Sequence, residues 1–548
     1  MSIRGVSERK SKRVSTETIG ASLPATASKH PDSLALVSRH QGIRWTYAEM
    51  AEQVDRTARS LIACGATTGS RVGIWSPTCA EWTLIQYGTA RIGAILVNIN
   101  PAYRTEELTY ALDKVGVSTL VAAESIKSTD YLAMISVARQ KLPELRRVIT
   151  TGSGNAGGAS DITWAQFDAL ADQVEPGAVD AIAATLSSHD PVNIQFTSGT
   201  TGKPKGATLT HHNILNNAVS IASLLGYTPD DRVCIPVPLY HCFGMVIGNL
   251  ACTATGAAMV YPEASFDPLA TLQAVAAERC TSIYGVPTMF IAELEHPAFA
   301  EHDVTSLRTG VMAGAPCPVE VMKRVITDMH VPEVTIAYGM TETSPVSFLT
   351  RRSDDLERRV STVGTVVPHV EAKVVNPETG ASVPPGTVGE VCTRGYVVMA
   401  GYWNYPAATS GAVDAEGWMH TGDLGVVDRD EYLQIVGRIK DLVIRGGENI
   451  YPREVEEVLH QHDAIADAQV IGVPDERMGE ELMAWIKLRP GAELTAEDVR
   501  TFCRERLAHF KVPRFVKFVE DFPVTVTGKV QKFRMREIAI AELASAMS

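Results

Sequence analysis

Short, mainly apolar segments alternate with longer segments of helical periodicity in the first third of the chain. RVGIW at 71–75 and AILVNI at 94–99 are two such segments, and helical patterns over 79–92 and 105–115 accompany them. Strands that are apolar throughout must be covered on both faces, which is typical of parallel sheets between layers of helices. The alternation therefore predicts an α/β fold. Further strands are expected at 118–123, 146–150, 192–196, 232–237, 257–261, 282–286, 308–313 and 334–337.

The helix expected over 46–65 has clear signals at both ends. Thr46 and Glu49 have the spacing of a capping box, in which side chains bind the free backbone amides of the first turn. Apolar side chains recur on one face, and Gly65 is a stop signal at the C-terminal end. Together these signals predict an amphipathic helix with defined ends.

The composition excludes some classes of protein. A chain of 548 residues exceeds what one hydrophobic core normally serves, so roughly two to four domains are expected. The formal charge of −13 argues against a nucleic-acid-binding surface, and 45% hydrophobic residues is ordinary for a globular protein. The nine cysteines form no C-x-x-C pair, which indicates a reducing compartment rather than a disulfide framework.

Changes in the sequence pattern along the chain indicate where domains begin and end. The basic N-terminal segment lacks an apolar stretch, so we expect a flexible tail over 1–29, with a transit peptide as the alternative. Short strands and turns at about 345–437 predict a β-rich subdomain. After it, helical and strand patterns fill a segment large enough for a small α+β domain. We therefore expect an N-terminal domain at 30–439 and a mobile C-terminal domain at 440–548.

One segment has the length of a membrane span. Residues 233–262 contain no Asp, Glu, Lys or Arg. However, prolines, glycines and polar residues interrupt the segment, among them Pro236, Pro238, Gly244 and Asn249. We therefore expect a buried strand, loop, helix and strand, and no transmembrane segment. An uncharged interior of this size also suits a pocket for an apolar substrate.

Two glycine-rich stretches are candidates for holding phosphates. TSGTTGKPKG at 197–206 combines three glycines, four hydroxyl side chains and two lysines, which can surround phosphate oxygens. It is not a P-loop, because Pro204 follows Lys203 where a serine or threonine is required. A solvated turn is the alternative. GSGNAG at 152–157 lacks the helix that a dinucleotide site requires next, and is interpreted as a surface connection.

Five motifs in a fixed order point to a family. They are TSGTTGKPKG (197–206), YGMTE (338–342), TGD (421–423), GRIKD (437–441) and PVTVTGK (523–529). With them the chain resembles the adenylate-forming superfamily of acyl-CoA synthetases, luciferases and non-ribosomal adenylation domains, from about residue 30 to 540. The resemblance implies a large α/β N-terminal domain, made of two sheet-and-helix subdomains and a small β-barrel, and a smaller mobile α+β C-terminal domain.

The resemblance implies a binding site for the phosphates of ATP. Glu342 resembles the carboxylate that holds Mg²⁺, a cation that prefers oxygen ligands, and Thr341 is placed to contact the α-phosphate. His241 stands where the family has an aromatic gate beside the acyl carboxylate, with a buried structural histidine as the alternative. The loop residues assigned to the phosphates are Thr197, Ser198, Gly199, Thr200, Thr201, Gly202, Lys203, Pro204 and Lys205.

The nucleoside is assigned to further residues by the same resemblance. Asp423 resembles the acid that accepts both ribose hydroxyls in charge-assisted hydrogen bonds, and Arg438 resembles its neighbour on the nucleotide. The residues expected around adenine are Gly314, Ala315, Pro316, Tyr338, Gly339 and Met340.

The C-terminal part is implied to serve both reaction steps. Lys529 resembles the lysine that bridges the substrate carboxylate and the α-phosphate during adenylation only. Its withdrawal requires the C-terminal domain to rotate, and Lys440 occupies the family's hinge position. Gly446, Gly447 and Glu448 belong to a loop that resembles the lining of the channel for the pantetheine arm of coenzyme A.

These assignments predict an ATP-dependent acid–thiol ligase that makes acyl-CoA and AMP, with medium-chain fatty acids as the expected substrates. ATP, Mg²⁺ and coenzyme A are the expected cofactors and cosubstrates, and no nucleic acid is expected as a partner. The alternatives are an acyl-AMP ligase that loads a carrier protein, a CoA ligase for long-chain or aryl acids, a luciferase-like oxidase and a non-catalytic binder. We expect a cytoplasmic protein, with the mitochondrial matrix as the alternative location. Whether the chain forms a homodimer stays open.

Overall fold

The computed structural model describes residues 3–4, 14–126, 129–152, 159–197, 204–315, 317–524 and 530–547. The chain divides into two compact units. The larger comprises Ile3–Ala372 and Thr393–Met419, and the smaller comprises Lys373–Cys392 and His420–Ser548. The domain boundary expected at 439/440 therefore lies inside the smaller unit.

The first sheet of the larger unit has eight strands. In order across the sheet they are Ile162–Thr163, Arg147–Thr150, Thr119–Ala122, Arg71–Trp75, Ile95–Asn98, Pro191–Thr197, Lys205–Thr210 and Gly401–Tyr402. The first six run parallel and the last two join them antiparallel. Val97, Leu120 and Val148 lie in its buried core. The parallel sheet predicted from the apolar alternation is confirmed.

The second sheet of the larger unit has nine strands. In order they are Thr365–Val366, Val346–Leu349, Glu333–Gly339, Thr309–Ala313, Ser282–Gly285, Arg232–Cys234, Ala258–Tyr261, Leu34–Ser38 and Ile43–Thr46. Its central strands are parallel, and antiparallel strands close both edges. The strand expected at 232–237 is shorter than predicted: it ends at Cys234, and the amide of Ile235 still donates to the carbonyl oxygen of Val260 on the neighbouring strand.

Helices of the larger unit lie between these strands in the sequence. In chain order they are Ile19–Lys29, Tyr47–Ala63, Ala80–Arg91, Thr105–Val115, Tyr131–Arg139, Trp164–Ala169, Ala178–Ala183, His211–Leu225, Ala251–Thr255, Pro268–Glu278, Pro287–Leu294, Val319–Thr327, Leu356–Ser361 and Pro406–Ser410. The helix predicted from the capping box begins after Thr46 as expected. The Thr46 side chain accepts from the Glu49 amide, and the Glu49 side chain accepts from the Thr46 amide.

The prediction of a flexible tail over 1–29 is wrong for residues 19–29. Ile19–Lys29 is a helix, capped by Thr18, whose side chain accepts from the Ala21 amide. Leu23 is buried on it, and a Cβ on Gly20 would lie 2.7 Å from the carbonyl oxygen of Ala90. The segment has few large apolar residues, and it orders because small side chains let it pack closely against a neighbouring helix.

The uncharged segment 233–262 is buried as expected. After the strand Arg232–Cys234, the chain forms a helical segment of the π type over Phe243–Leu250 and continues as the α-helix Ala251–Thr255. The strand Ala258–Tyr261 ends the segment. Across the described ranges of the chain, no helix combines the length and apolar character needed to cross a bilayer.

The smaller unit contains strands from two sheets. The first has Val370–Val375, Gly389–Gly395, Met419–Val427 and Leu433–Arg438 in this order, in the region where a small β-barrel was expected; its outermost strand, Ile3–Arg4, is assigned to the larger unit. The second has the order Glu448–Ile450, Val443–Arg445, Gly479–Leu488 and Ile465–Asp475, with Phe515–Phe518 beside Gly479–Leu488. The helices of this unit are Pro452–Leu459, Ala496–Arg504 and Lys532–Met547.

Candidate functional site

The glycine-rich loop begins and ends on two adjacent strands. Thr197 is the last residue of one strand and lies opposite Lys205, the first residue of the next. The carbonyl oxygen of Pro204 accepts a hydrogen bond of 3.0 Å from the Tyr110 hydroxyl, which holds the returning chain. The other assigned loop residues, Ser198, Gly199, Thr200, Thr201, Gly202 and Lys203, lie outside the described residues, so their roles stay predictions.

Glu342 is a buried carboxylate near the start of that loop. It lies on the turn Thr341–Thr343, which follows the strand Glu333–Gly339, and 5% of the residue is exposed. Its Oε1 accepts hydrogen bonds of 2.9 Å from the Thr197 hydroxyl and 2.9 Å from the Tyr402 hydroxyl. The structure therefore brings together Thr197 and Glu342, two of the predicted site residues.

Tyr402 is a site residue that the sequence analysis missed. Burial, and then the negative charge of Glu342, raise the pKa of its phenol, which keeps the hydroxyl protonated and able to donate. The ammonium group of Lys205 lies 4.3 Å from the centre of the Tyr402 ring. No spacing rule connects Tyr402 to Glu342, since the two meet only through the fold.

The donor set at Glu342 fits Mg²⁺. Magnesium is usually held by one or two carboxylates together with phosphate oxygens and water, at a site of hard oxygen atoms. Glu342 supplies the carboxylate, and the hydroxyls of Thr197 and Tyr402 hold one of its oxygens in place. These residues fit a metal that is completed by the phosphates of a nucleotide.

The residues expected around adenine lie at the ends of two neighbouring parallel strands. Ala313 pairs with Ala337, so Gly314 and Tyr338, which follow them, lie at the same edge of the second sheet. Gly314 and Ala315 are exposed, and Tyr338 is half-buried. Ligands of α/β sheets bind at this carboxyl edge. Pro316 lies outside the described residues.

Gly339 is required by the close approach of two chain segments. A Cβ at this position would lie 1.9 Å from the carbonyl oxygen of Pro345. Only glycine lets the chain pass here between Tyr338 and Met340 and enter the turn that carries Thr341 and Glu342. The glycine of YGMTE therefore has a packing role in addition to its predicted place near adenine.

His241 is half-buried and lies on a turn fixed by buried polar residues. The Asn98 amide donates to the carbonyl oxygen of Tyr240 at 2.8 Å, and the Asn193 amide donates to Asn98 at 2.9 Å. Nδ1 of His241 accepts from the amide of Phe243 at 3.1 Å, so a proton on the neutral ring is on Nε2. This partial exposure differs from the fully buried structural histidine considered as the alternative, and the gate role stays a prediction.

Thr341 lies beside a buried thiol. Its hydroxyl is 3.8 Å from the Sγ atom of Cys242. Burial raises the pKa of the Cys242 thiol to about 12, so the group is neutral at physiological pH and is not a nucleophile. Thr341 is itself buried, with 9% exposed.

Asp423 and Arg438 lie on adjacent strands of the smaller unit. They are direct cross-strand partners, and Nε of Arg438 lies 2.8 Å from Oδ1 of Asp423. Asp423 is buried, with 6% exposed, whereas Arg438 is half-exposed. The structure therefore brings together the two residues assigned to the ribose side of the nucleotide.

The predicted hinge and pantetheine-loop residues lie nearby in the sequence. Lys440 is exposed on the turn Ile439–Asp441. Gly446 and Gly447 form a two-residue hairpin loop with φ of 60° and 89°, and Glu448 begins the next strand. Positive φ at both central residues is the geometry of a tight hairpin, which explains both glycines without a ligand. Lys529 lies outside the described residues, between Val524 and Val530, which pair antiparallel.

A largely parallel sheet and a buried carboxylate bound to Thr197, where a sequence rich in glycine, hydroxyl and lysine residues begins, are typical of nucleotide-using enzymes. A family model described as AMP-binding enzyme matches residues 23–403, and one described as AMP-binding enzyme C-terminal domain matches residues 454–529. The chain belongs to the AMP-binding enzyme family.

Individual relatives are similar over nearly the whole chain. YngI of Bacillus subtilis (strain 168), whose name gives acyl-CoA synthetase as a provisional assignment, is 45% identical over 536 residues, 95% of this chain and 97% of that protein. The mitochondrial medium-chain acyl-CoA ligase ACSF2 of Danio rerio is 44% identical over 539 residues, 95% of this chain and 88% of that protein. The crystal structure of the anthranilate CoA ligase AuaEII with anthranoyl-AMP superposes with a TM-score of 0.85 at 27% identity, covering 96% of this chain and 98% of that chain.

Proposed function

We propose that the chain is an ATP-dependent fatty acid–CoA ligase of the AMP-forming type. The carboxylate of the fatty acid attacks the α-phosphate of ATP, which gives acyl-AMP and pyrophosphate. The thiol of coenzyme A then attacks the acyl carbon, loses its proton and releases AMP. The observation that carries the proposal is the buried Glu342 carboxylate, held by hydroxyls of Thr197 and Tyr402, in a chain of this family.

Adenylation overcomes a chemical difficulty. A carboxylate cannot acylate a thiol directly because its leaving group would be oxide, whereas a mixed anhydride with AMP has a good leaving group. Glu342 would hold Mg²⁺, which would neutralise negative charge on the phosphates. Hydrogen bonds from Thr197 and Tyr402 keep the carboxylate oriented. Lys203 and Lys205 stay assigned to the β- and γ-phosphates.

The nucleoside and acyl assignments complete the first step. Asp423, oriented by Arg438, is proposed to accept the two ribose hydroxyls. Thr341 is proposed to contact the α-phosphate, and His241 to stand beside the acyl carboxylate. The adenine set is Gly314, Ala315, Pro316, Tyr338, Gly339 and Met340.

The second step is assigned to the C-terminal part of the chain. We propose that Lys529 acts in adenylation only, that torsions at Lys440 let the C-terminal domain rotate, and that Gly446–Glu448 then lines the pantetheine channel. The exposure of Lys440 supports a hinge, since no packed side chain has to move with it.

Medium-chain fatty acids are the proposed substrates. The π-type segment Phe243–Leu250 is uncharged and buried throughout, which supports an apolar acyl chain. The name of the Danio rerio relative supports the medium-chain length. That name also includes the mitochondrion, which supports a mitochondrial location as the alternative to our proposed cytoplasmic location. A homodimer stays a proposal that light scattering would test.

The test is a panel of straight-chain acids from about C4 to C18, with and without coenzyme A. Pyrophosphate release is measured continuously, and products are identified by mass spectrometry. We expect acyl-AMP without coenzyme A, acyl-CoA with it, and the highest kcat/KM at medium length. A preference for an acyl carrier protein over coenzyme A would instead identify an acyl-AMP ligase, and no pyrophosphate release with any acid would contradict the proposal.

A further inference from the structure

A buried carboxylate outside the assigned site binds the segment just before Asp423, near the start of the strand Met419–Val427. Glu390 lies on the strand Gly389–Gly395, and 8% of the residue is exposed. Its Oε1 accepts a hydrogen bond of 3.1 Å from the backbone amide of Gly422. Its Oε2 lies 2.8 Å from Nδ1 of His420. The two oxygens therefore bind two of the three residues that precede Asp423.

The Thr421 hydroxyl makes one further hydrogen bond from this segment to the strand that carries Glu390, and one within the segment. The Thr421 hydroxyl donates to the carbonyl oxygen of Val391 at 2.7 Å and accepts from the Asp423 amide at 3.1 Å. Gly422 has φ of 70°, so the chain takes a left-handed step immediately before Asp423. The position of the Asp423 backbone thus depends on Glu390 and its neighbour Val391.

Burial of this carboxylate needs an explanation. Taking an ionised group out of water costs several kcal/mol unless hydrogen bonds replace its hydration. Here one oxygen binds a backbone amide and the other an imidazole. These two contacts offset part of that cost and attach the segment before Asp423 to the strand Gly389–Gly395.

A metal site is the competing interpretation of these residues. Ligand atoms of Glu390, Cys392 and His420 lie within 4.8 Å of one another, and Cys392 Sγ is 3.5 Å from His420 Nδ1. In a tetrahedral zinc site with bonds of about 2.0–2.1 Å, the oxygen and nitrogen ligands lie roughly 3.3 Å apart. The observed 2.8 Å between Oε2 and Nδ1 is a hydrogen-bond distance. The geometry favours the hydrogen bond.

We propose that Glu390 is a positioning residue for ribose recognition: through Gly422 and His420 it fixes where Asp423 presents its carboxylate to the ribose hydroxyls. The inference rests on the proposed function, because it takes Asp423 as the ribose ligand. Glu390 itself touches neither nucleotide nor substrate in this scheme. Its loss should therefore change discrimination between ribose and deoxyribose more than it changes the chemistry.

The experiment compares ATP with 2′-deoxy-ATP and 3′-deoxy-ATP in fatty-acid-dependent pyrophosphate release by the full chain. The variants are Glu390→Gln, Glu390→Asp and His420→Gln. Glu378→Gln is the matched control, because Glu378 is an exposed glutamate on a turn of the same unit. Asp423→Asn, alone and combined with Glu390→Gln, completes a double-mutant cycle. Melting temperatures are measured for every variant.

We expect Glu390→Gln to raise the KM for ATP and to reduce the preference for ATP over the deoxynucleotides, each about tenfold, with a smaller change in kcat. Glu390→Asp should recover part of the preference, because it keeps the charge, and His420→Gln should show an intermediate loss. In the Asp423→Asn background, Glu390→Gln should add little, because its effect passes through Asp423. Glu378→Gln should match the unchanged chain.

Three results would overturn the inference. The first is an unchanged ribose preference in folded Glu390→Gln and His420→Gln. The second is failure of all three variants to fold, since the cluster would then determine folding rather than recognition. The third is one equivalent of zinc bound by the unchanged chain and lost in His420→Gln, which would make the cluster a metal site. If the unchanged chain releases no pyrophosphate with any fatty acid, the proposed function fails instead.

Discussion

Two hydroxyls converge on one oxygen of Glu342, and they come from residues far apart in the chain. Thr197 ends the strand before the glycine-rich loop, and Tyr402 lies on a short strand at the edge of the same sheet. Each donates at 2.9 Å. With one oxygen held in this way, the carboxylate has a defined orientation before a metal or nucleotide binds.

Removing the Tyr402 hydroxyl tests this arrangement. Tyr402→Phe keeps the ring beneath Lys205 but deletes the hydrogen bond to Glu342, so we expect the KM for MgATP to rise about tenfold, the effect typical of a hydrogen bond to a charged group. Steady-state pyrophosphate release at varied MgATP measures it. Tyr405→Phe is the control, because Tyr405 is 39% exposed and also lies beneath a lysine, Lys114. Equal effects of the two substitutions would contradict the role of Tyr402.

Glu293 is a buried acid whose protonation makes the stability of the protein depend on pH. It is 1% exposed, and among the described residues neither carboxylate oxygen has a hydrogen-bond partner. Burial raises the pKa of Glu293 well above its usual range, so the folded protein holds it neutral. The unfolded chain releases that proton above about pH 4.3. The unfolded state then binds fewer protons than the folded state, and stability falls as pH rises.

The pH dependence of unfolding tests this assignment. From about pH 5 upward, Glu293 should lower the free energy of unfolding by about 1.4 kcal/mol per pH unit until the folded group itself ionises. Glu293→Gln should remove that slope, as measured by denaturant unfolding at a series of pH values. Glu295→Gln, which changes an exposed neighbour, should keep it. A slope that survives in Glu293→Gln would show that Glu293 is not its source.

At the scale of elements, the turn after the strand Glu333–Gly339 depends on one glycine. The strand must end, pass Pro345 at close range and present Thr341 and Glu342 within a few residues. Because the obstacle is a backbone carbonyl rather than a flexible side chain, it cannot move aside cheaply. The geometry of the catalytic turn is thus built into the packing at Gly339.

Gly339→Ala should therefore damage both stability and activity. We expect a loss of about 1–3 kcal/mol in the free energy of unfolding and a larger fractional loss of adenylation than of folded protein, since Glu342 is displaced. Gly411→Ala is the control, because Gly411 has φ of −78° and its Cβ would meet no atom closer than 3.4 Å. Chemical unfolding and pyrophosphate release measure the two effects. Full activity in Gly339→Ala would contradict the packing argument.

Glycine substitutions can distinguish a backbone role of Gly447 from a role in admitting a ligand. A Cβ on Gly447 would meet no atom within 4 Å, so Gly447→Ala costs only the positive φ, about 1–2 kcal/mol. Gly491→Ala is matched, with φ of 78° and equally open space. If the loop lines the pantetheine channel, Gly447→Ala should lower acyl-CoA formation from acyl-AMP while Gly491→Ala should not. If the two variants formed acyl-CoA at equal rates, Gly447 would have only its role in the turn.

The sequence predicted those helices whose ends are determined by residues close together in the chain. Thr46 and Glu49 form the capping box that their spacing indicated, and Thr105–Val115 has the bounds that its pattern predicted. The helix Ile19–Lys29 escaped prediction because it is ordered by close packing of small residues, which leaves no strong periodic pattern. This helix is stabilised by contacts with residues that are distant in the sequence.

The site residues also differ in whether the sequence could identify them. Asp423 and Glu342 could be assigned because the motifs TGD and YGMTE carry them. Tyr402 and Glu390 could not, since each acts on a residue that is distant in the sequence and no local pattern connects the pair. Gly446 and Gly447 were assigned to a ligand channel, whereas the structure also gives them a turn that requires positive φ.

At the scale of the whole molecule, the assigned residues are divided between two units. Thr197, Thr341 and Glu342 belong to the larger unit, and Asp423 and Arg438 to the smaller. The two matched family models divide the chain differently: the model at 23–403 includes Lys373–Cys392 of the smaller unit, and the model at 454–529 lies within that unit. The use of Lys529 in only one of the two reaction steps stays a proposal, and it can be tested on the intact chain.

The most direct measurement follows the two half-reactions of Lys529→Ala separately. Pyrophosphate release from ATP and a fatty acid reports adenylation, and acyl-CoA formation from synthetic acyl-AMP reports thioester formation. If Lys529 bridges the carboxylate and the α-phosphate only in the first step, adenylation should fall by about two to four orders of magnitude, while thioester formation stays close to that of the unchanged chain. An equal loss in both half-reactions would contradict the account.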